Sequence, residues 1–369
     1  MMKKVALLVR SASFGGIERL VIDLFKYMKE HVKEIEPYLI VFCREGGFLK
    51  ELEEEKNVYF LSSKKKLKTT NFDIYLKLRK LLKELEVDIL HFHSYPVDFI
   101  GVIASLGLRV KRIAHIHNFH FIGGEKRIKK YRFISKYIDS FIYVSKAVME
   151  SVDPLYNAYC PNKKVLYNFI VPERIETFLK KEKMTRKELG IPEDGVVFCF
   201  VGRLTDNKNI LNLIKAMSYL KERKNLYLLI VGSGKLEKNA KELAKNLQLR
   251  NIVFAGASYN PFKYLKVSNV FILPSKVEGL PLSHLEAMYL GLPSLISENV
   301  PSKEIPSKEI AYEASFISGI SPESIAKGIE NLYICKDIRD TLAVKAKEVI
   351  QNFIIDRYFE KLYEIYTRL

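Results

Sequence analysis

The sequence lacks several features that would place it in a common class of protein. Its four cysteines are far apart and form no CxxC pair, which favours buried free thiols in a reducing compartment over a zinc cluster. There is no GxGxxG motif of the kind that binds dinucleotides. The longest uncharged apolar stretch, 99–108, is far shorter than the roughly 20 residues of a membrane-spanning helix. We therefore expect a globular protein with no membrane-spanning helix.

The N-terminus has basic residues followed by an apolar run, the arrangement that begins a signal peptide. The run from Val5 to Val9 is short, however, and Arg10 ends it. A signal peptide needs about 7–15 apolar residues at this point. The segment is therefore predicted to be a β-strand, and the protein is expected in the cytoplasm.

Acidic residues are too few to balance the basic ones, and the formal net charge is +17. Most of the excess lies in the first half of the chain. Residues 109–136 contain a cluster of basic residues and the single acid Glu125. Such a surface attracts phosphates of lipids, of a lipid diphosphate or of nucleic acid. We predict that Lys126, Arg127, Lys129 and Lys130 contact an anionic membrane surface, on the inner face of the cytoplasmic membrane. Stacking aromatics do not alternate with these residues as single-stranded nucleic acid would require, so no nucleic-acid partner is predicted.

Short apolar runs alternate with helical patterns along most of the chain, which predicts an α/β fold with doubly wound parallel sheets. The alternation stops over 172–194, where Pro172, Gly190, Pro192 and Gly195 interrupt the pattern, and then restarts. We therefore predict two Rossmann-like domains facing a cleft, 1–172 and 173–353. Residues 354–369 form an amphipathic C-terminal helix in this scheme.

The segment 277–293 is predicted to hold the most informative site. It follows the apolar strand Val270–Leu273 and opens a helix whose first residue is predicted to be Pro281. A helix start attracts anions because its first N–H groups are unpaired. Glu278 and Glu286 flank this start, and each carboxylate suits a pair of vicinal sugar hydroxyls. Both could instead be ordinary surface glutamates.

A second cluster of polar residues follows the strand Val196–Val201. Gly202, Arg203 and Lys208 come at its end, where two cations could neutralise a diphosphate. Two surface cations would be the simpler interpretation of this short stretch alone. The next strand ends in Gly232-Ser233-Gly234, but Glu237 stands where a dinucleotide fingerprint has its third glycine.

Histidines gather at strand ends in the first half: His91 and His93, then His115, His117 and His120. Alternation places each His-x-His pair on one face of a strand, so metal binding has to be weighed. Buried histidines bonded to the backbone are the commoner case, and we predict no metal site. His117 is predicted to face substrate hydroxyls.

Together these motifs resemble the GT-B glycosyltransferases, specifically the retaining family four. The resemblance covers nearly the whole chain. Its most specific part is the Glu-x7-Glu segment with Gly-Leu-Pro after the first Glu. The other features that carry it are Gly15-Gly16-Ile17-Glu18, His117, Tyr167-Asn168, Gly202-Arg203 with Lys208, and Gly232-Ser233-Gly234.

The resemblance implies which residues form the site. The implied catalytic residues are His117, Arg203, Lys208 and Glu278. The implied donor-binding residues are Gly16, Gly202, Arg203, Lys208, Gly232, Gly234, Glu278, Gly279, Leu280, Pro281 and Glu286. The implied acceptor-side residues are Gly15, Gly16, His117 and Asn118. Arg203 and Lys208 would hold the donor diphosphate, Glu286 the ribose, and the amides of residues 279–281 the sugar and phosphate.

Two residues depart from the family pattern. Asn209 stands where a Gly usually follows the Lys, and His284 is unusual within its motif and is expected to face outward. The resemblance further implies a retaining, metal-independent reaction without a cofactor, consistent with the absence of Asp-x-Asp. It also implies that the C-terminal helix crosses back onto the first domain.

The resulting hypothesis is a hexosyltransferase or N-acetylhexosaminyltransferase that uses a nucleotide sugar, with UDP favoured. The acceptor would be a lipid-linked glycan in surface polysaccharide biosynthesis. Transfer to a soluble acceptor and non-catalytic nucleotide binding remain alternatives. A dinucleotide-dependent oxidoreductase is disfavoured by the missing GxGxxG motif.

Overall fold

The computed structural model describes residues 2–62, 67–119, 124–156, 160, 162–299 and 314–369. The chain divides into two units. Unit 1 is Met1–Asn168 with Ile355–Leu369, and unit 2 is Phe169–Ile354. The boundaries predicted from the sequence are 172/173 and 353/354. Residues 169–172 belong with unit 2 because Ile170 pairs with Ile354 and its N–H donates to the carbonyl of Phe353.

Unit 1 is built on a parallel sheet of seven strands in the order β3-β2-β1-β4-β5-β6-β7. The strands are β1 Lys3–Ser11, β2 Ile35–Cys43, β3 Val58–Ser62, β4 Ile89–Phe92, β5 Lys111–Ile116, β6 Ser140–Tyr143 and β7 Lys163–Val165. The helices are α1 Gly16–His31, α2 Leu49–Leu52, α3 Phe72–Leu85, α4 Val97–Ser105, α5 Gly124–Ser135, α6 Lys146–Tyr156 and the C-terminal α14 Ile355–Arg368. The apolar residues of β1 and β2 are almost fully buried, as expected when helices cover both faces of a parallel sheet.

Unit 2 contains a six-stranded parallel sheet in the order β10-β9-β8-β11-β12-β13. Its strands are β8 Val196–Val201, β9 Leu226–Val231, β10 Ile252–Gly256, β11 Val270–Leu273, β12 Ser294–Ser297 and β13 Ser315–Ser318. Its helices are α7 Pro172–Lys181, α8 Ile210–Ser218, α9 Glu237–Asn246, α10 Phe262–Lys266, α11 Leu282–Tyr289, α12 Pro322–Ile334 and α13 Lys336–Ile350. Short 3-10 turns cover Lys187–Leu189, Asp206–Lys208 and Gln351–Phe353.

The predicted fold class is confirmed: both units are doubly wound α/β structures with parallel sheets. Within 172–194, where the sequence pattern stops alternating, the first ten residues form α7. Pro172 suits the first turn of a helix because its missing N–H would have no partner there, and Ile175 on this helix is fully buried. No helix within the described ranges is long and apolar enough to cross a bilayer.

Candidate active site

The strand order indicates where the candidate site of unit 2 lies. The chain winds outward from β8 in both directions, so β8 and β11 are neighbours at the point where the order reverses. Ligands of doubly wound folds bind outside the carboxyl ends of the strands at such a switch point. The loop after β8 contains Gly202, Arg203 and Lys208, and the loop after β11 contains Glu278. The predicted residues therefore follow the two strands that flank the switch point.

Lys208 and Glu278 form an ion pair that joins these two loops. Lys208 Nζ lies 2.7 Å from Glu278 Oε1, and the two side chains are only 16% and 11% exposed. The backbones are tied as well, because the Lys276 N–H donates to the Asn207 carbonyl at 2.8 Å. The Asn207 side chain in turn donates to the Val277 carbonyl at 2.7 Å. The two loops thus present a cation and a carboxylate in a fixed arrangement.

Asn209 adopts the left-handed backbone conformation at the position where the family pattern has glycine. Its φ is +57°, in the left-handed region that favours glycine and that asparagine also tolerates. The Asn209 side chain donates to the carbonyl of Ile320 at 2.8 Å, and this hydrogen bond ties the turn to the segment before α12. The turn after Lys208 is therefore formed, with a buried amide where the family pattern has glycine.

The glycines at the ends of β8 and β9 allow these loops to pack closely. Gly232 has φ +143°, and a Cβ there would lie 1.9 Å from the Gly202 carbonyl oxygen. A side chain at Gly232 would therefore push the two loops apart. Arg203, between them in the sequence, is exposed and makes no ion pair within the described part of the chain. Its guanidinium is therefore available to an anionic ligand.

Helix α11 begins one residue later than predicted. Its first helical residue is Leu282, and Pro281 is the preceding cap, with φ −74° and ψ 121°. Pro281 carries no N–H, so the expectation that its amide faces a ligand is wrong. Gly279 and Leu280 precede the cap, and the N–H groups of Leu282 and Ser283 have no acceptor within the helix. The backbone donors available at the start of α11 are therefore the N–H groups of Gly279, Leu282 and Ser283.

Glu286 is buried and paired with a residue that the sequence analysis missed. Glu286 Oε1 lies 2.7 Å from Arg174 Nη2, and the side chains are 7% and 13% exposed. Arg174 comes from α7, and its guanidinium also stacks on Phe262 at 5.0 Å. The proline at the start of α7 signals a helix start, but nothing local indicates that Arg174 faces a glutamate far along the chain.

His284 faces the interior, so the expectation that it points outward is wrong. It is fully buried, its ring stacks on Phe271, and Nε2 lies 3.1 Å from the Ser315 hydroxyl. Burial lowers the pKa of His284 to about 4, so the ring is neutral near pH 7. His284 therefore packs α11 against β11 and β13.

In unit 1 the strand order reverses between β1 and β4, and β5 is the next strand after β4. The candidate residues of this unit follow β1 and β5. Gly15 caps α1 after β1 in an extended conformation, and Gly16 is the first residue of that helix. His117 follows β5, is only 7% exposed, and its Nε2 lies 3.1 Å from Nδ1 of His93. Burial lowers the pKa of His117 to about 3. Asn118 is exposed, and His120 lies outside the described residues.

Two of the four basic residues predicted to contact a membrane are exposed on α5. Lys126 and Lys129 are exposed, but Arg127 and Lys130 are half-buried. Arg127 stacks on the Tyr95 ring at 4.5 Å, and Lys130 donates to the Thr69 hydroxyl at 2.8 Å. A run of basic residues on a helix does not reveal which of them turn inward to aromatic neighbours. The exposed part of this surface also includes Arg132, Phe133, Lys136 and Tyr137.

Comparison with solved structures places the fold. The chain superposes on the crystal structure of HepE from Anabaena in complex with UDP with a TM-score of 0.81, at 18% identity and over 100% of each chain. The fold is that of the GT-B glycosyltransferases.

Sequence comparison identifies the family to which the chain belongs. Residues 181–349 match the model of glycosyl transferases group 1, and residues 14–174 match glycosyltransferase family 4. An uncharacterised glycosyltransferase of Methanocaldococcus jannaschii is 30% identical over 293 residues, covering 76% of this chain and 75% of the relative. The Escherichia coli UDP-Gal:α-D-GlcNAc-diphosphoundecaprenol α-1,3-galactosyltransferase is 28% identical over 309 residues, 77% and 76% of the two chains. The chain therefore belongs to the group 1, family 4 glycosyltransferases.

Proposed function

We propose that this protein is a retaining glycosyltransferase that transfers a hexose or N-acetylhexosamine from a UDP-sugar to a lipid-linked glycan. The acceptor would be an intermediate of surface polysaccharide biosynthesis. The reaction uses no cofactor and no catalytic metal ion. Transfer takes place at the inner face of the cytoplasmic membrane, to which the protein binds peripherally.

The observation that carries the proposal is the Lys208–Glu278 pair at the switch point of unit 2. A diphosphate needs cations and N–H donors, while a sugar needs a carboxylate that accepts from its hydroxyls. Lys208 and the exposed Arg203 supply the cations, and the start of α11 supplies the N–H groups. Glu278 lies against the lysine. Its carboxylate is therefore next to the point where a phosphate-linked sugar would sit.

The chemistry requires stabilisation of the leaving group. The bond between the anomeric carbon and the diphosphate oxygen breaks, and the acceptor hydroxyl oxygen bonds to the same face of that carbon. The leaving diphosphate takes the proton of the hydroxyl. Arg203, Lys208 and the N–H groups of α11 stabilise its negative charge as it develops. Charge stabilisation by fixed donors of this kind commonly contributes 10²-fold or more per group.

The choice of donor and acceptor is supported by relatives. HepE binds UDP in its crystal structure, and the name of the Escherichia coli relative gives a UDP-sugar donor and a diphosphoundecaprenol acceptor. Residues of α5 and of the segment just after it suit a membrane-bound acceptor. Phe133 and Tyr137 are 47% and 38% exposed. They are close in the sequence to the exposed Lys129, Arg132 and Lys136, a combination typical of surfaces that bind anionic lipid.

A calorimetric screen of UDP-, GDP-, ADP- and dTDP-sugars tests the donor. The preferred sugar is then incubated with undecaprenyl-diphosphate-linked and soluble glycans, and the anomeric configuration of the product is read by NMR. We expect a UDP-sugar to bind best, the anomeric configuration of the donor to be kept, and Mg²⁺ or Mn²⁺ to leave the rate unchanged. Binding without turnover on any acceptor would support a non-catalytic nucleotide-binding protein instead. Turnover on soluble glycans alone would support the soluble-acceptor alternative.

A further inference from the structure

Four buried histidines lie together in unit 1, outside the donor site proposed above. His91 is on β4 and His93 follows it, while His115 is on the neighbouring β5 and His117 follows that strand. The two strands are parallel, with His91 opposite Ile113 and Phe92 opposite Ala114. His91, His93 and His115 are at most 2% exposed. One nitrogen from each of these three rings lies within 4.8 Å of the others.

Hydrogen bonds fix the orientation of two of these rings. Nδ1 of His91 lies 2.8 Å from the hydroxyl oxygen of Tyr366 on α14. Nδ1 of His93 lies 3.1 Å from Nε2 of His117. With their protons on Nδ1, His91 donates to Tyr366 and His93 donates to His117. Both rings then keep an unprotonated Nε2.

The remaining ring nitrogens are unpaired. Nε2 of His91, Nε2 of His93 and both nitrogens of His115 have no hydrogen-bond partner in the part of the chain that the structure describes. Leaving a buried polar atom without a hydrogen bond destabilises the folded chain. One nitrogen of a neutral His115 carries a proton, so each of the three rings offers one lone pair. Three such lone pairs in one buried cluster indicate a ligand that accepts them.

We propose that His91, His93 and His115 bind a divalent transition metal ion of the zinc class. Neutral imidazole nitrogens are preferred ligands of Zn²⁺, Co²⁺, Ni²⁺ and Cu²⁺, whereas Mg²⁺ and Ca²⁺ require oxygen ligands. Histidine ligands of zinc usually donate their second N–H to another protein group. Tyr366 and His117 accept in this way from His91 and His93.

The site requires a modest adjustment of the rings. Nitrogens at about 2.1 Å from one tetrahedral zinc ion lie roughly 3.4 Å apart. The nitrogens here lie within 4.8 Å of one another, so metal binding requires them to move closer together by at most about 1.4 Å. The sequence predicts no metal because alternation shows only that each His-x-His pair shares a face. The hydrogen bond that occupies Nδ1 of His91 and leaves its Nε2 as the ligand comes from Tyr366, far along the chain.

The metal is structural and lies outside the transfer reaction. It links β4 to β5 and, through the His91–Tyr366 bond, both strands to α14. Because it binds the folded chain, it stabilises unit 1. It also holds His93, whose Nδ1 orients His117. The inference does not depend on the proposed function, since metal content is measured without a sugar donor.

The test uses the full-length protein prepared without added metal. Metal content is measured by mass spectrometry, and Co²⁺ is titrated in as a spectroscopic probe, with Zn²⁺ as competitor. We expect about one Co²⁺ per chain with the visible absorption of nitrogen-coordinated Co²⁺, displaced by one equivalent of Zn²⁺. Absence of both a bound metal and a Co²⁺ spectrum in the wild-type protein would overturn the proposal without any variant.

Variants locate the site. His115→Gln breaks no hydrogen bond described here and should lower Co²⁺ affinity at least tenfold. Tyr366→Phe removes only the partner of His91 and should lower affinity about 10–100-fold while leaving the stoichiometry unchanged. His284→Gln removes a buried histidine of unit 2, and His31→Gln removes an exposed one; both should bind Co²⁺ normally. Unchanged binding in His115→Gln, or loss of binding in His31→Gln, would place the metal elsewhere and contradict the proposal.

Discussion

Arg174 Nη2 and Glu286 Oε1 lie 2.7 Å apart in a setting where both side chains are almost completely buried. The pair joins α7, the first helix of unit 2, to α11, the helix that carries the Glu-x7-Glu motif. Glu286 therefore has a structural partner as well as its predicted role in binding the ribose. The two roles can be separated by experiment.

Arg174→Met should destabilise unit 2 strongly, because it leaves the Glu286 carboxylate buried without its cation. Breaking a buried pair from one side typically costs about 3–5 kcal/mol. The double variant Arg174→Met with Glu286→Gln should recover much of that loss, since it leaves no buried charge. Urea unfolding measures these differences.

Nucleotide affinity should follow a different pattern in the same variants. If Glu286 binds the ribose, UDP affinity stays low in the double variant even though stability returns. Calorimetry on folded protein measures this. Recovery of UDP affinity together with stability would assign Glu286 a structural role alone.

Arg203→Ala and Lys208→Ala should each lower turnover about 10²-fold or more, because each removes positive charge from the leaving diphosphate. Arg203 is exposed and makes no described ion pair, so its loss should leave stability nearly unchanged. The matched control is Lys215→Ala, which removes an exposed cation from α8. Steady-state rates at saturating donor are compared. Turnover near the wild-type level in both Arg203→Ala and Lys208→Ala would remove these residues from the reaction.

The parts of the fold that follow from local patterns could be predicted from the sequence. The bounds of β8 and β11 agree with the predicted ones, because each is a short apolar run with clear ends. The motif residues lie at the predicted strand ends because strands of one parallel sheet share a carboxyl edge.

The parts that depend on distant partners could not be predicted. Arg174 lies in a charged stretch between prolines and glycines, and only the folded structure brings it to Glu286. His284 lies among apolar neighbours that predict its burial, but the family pattern suggested an outward position. Arg127 belongs to a basic run, and its packing against Tyr95 depends on the loop before α4.

The buried position of His284 predicts a dependence of stability on pH. Its folded pKa of about 4 lies below the ordinary value of 6.5, so the unfolded chain binds more protons between these values. Its contribution is therefore fully present above pH 6.5 and is lost as the pH falls towards 4. The limiting loss is about 3 kcal/mol.

The measurement compares wild type with His284→Gln, so that groups titrating in both proteins cancel. The difference in unfolding free energy between the two should shift in favour of the variant as the pH is lowered from 7.5 to 5. In NMR the His284 ring signal should stay at its neutral position over this range and titrate normally in urea. A ring that titrates near pH 6.5 in the folded protein would contradict the buried position.

The exposed lysines of α5, together with Lys136 just after its end, predict salt-sensitive binding to anionic membranes. Lys126, Lys129 and Lys136 each contribute roughly 1 kcal/mol near an anionic surface, and salt screens this attraction. The protein should sediment with vesicles containing phosphatidylglycerol at low salt, dissociate at high salt, and bind vesicles of phosphatidylcholine weakly. Replacing these three lysines with Gln should abolish sedimentation and leave UDP affinity unchanged, since Arg127 and Lys130 keep their packing.

The matched control replaces Lys238, Lys241 and Lys245 on α9 with Gln, which removes the same charge from unit 2. Equal loss of binding in both triple variants would show that net charge, rather than the face of α5, determines membrane binding.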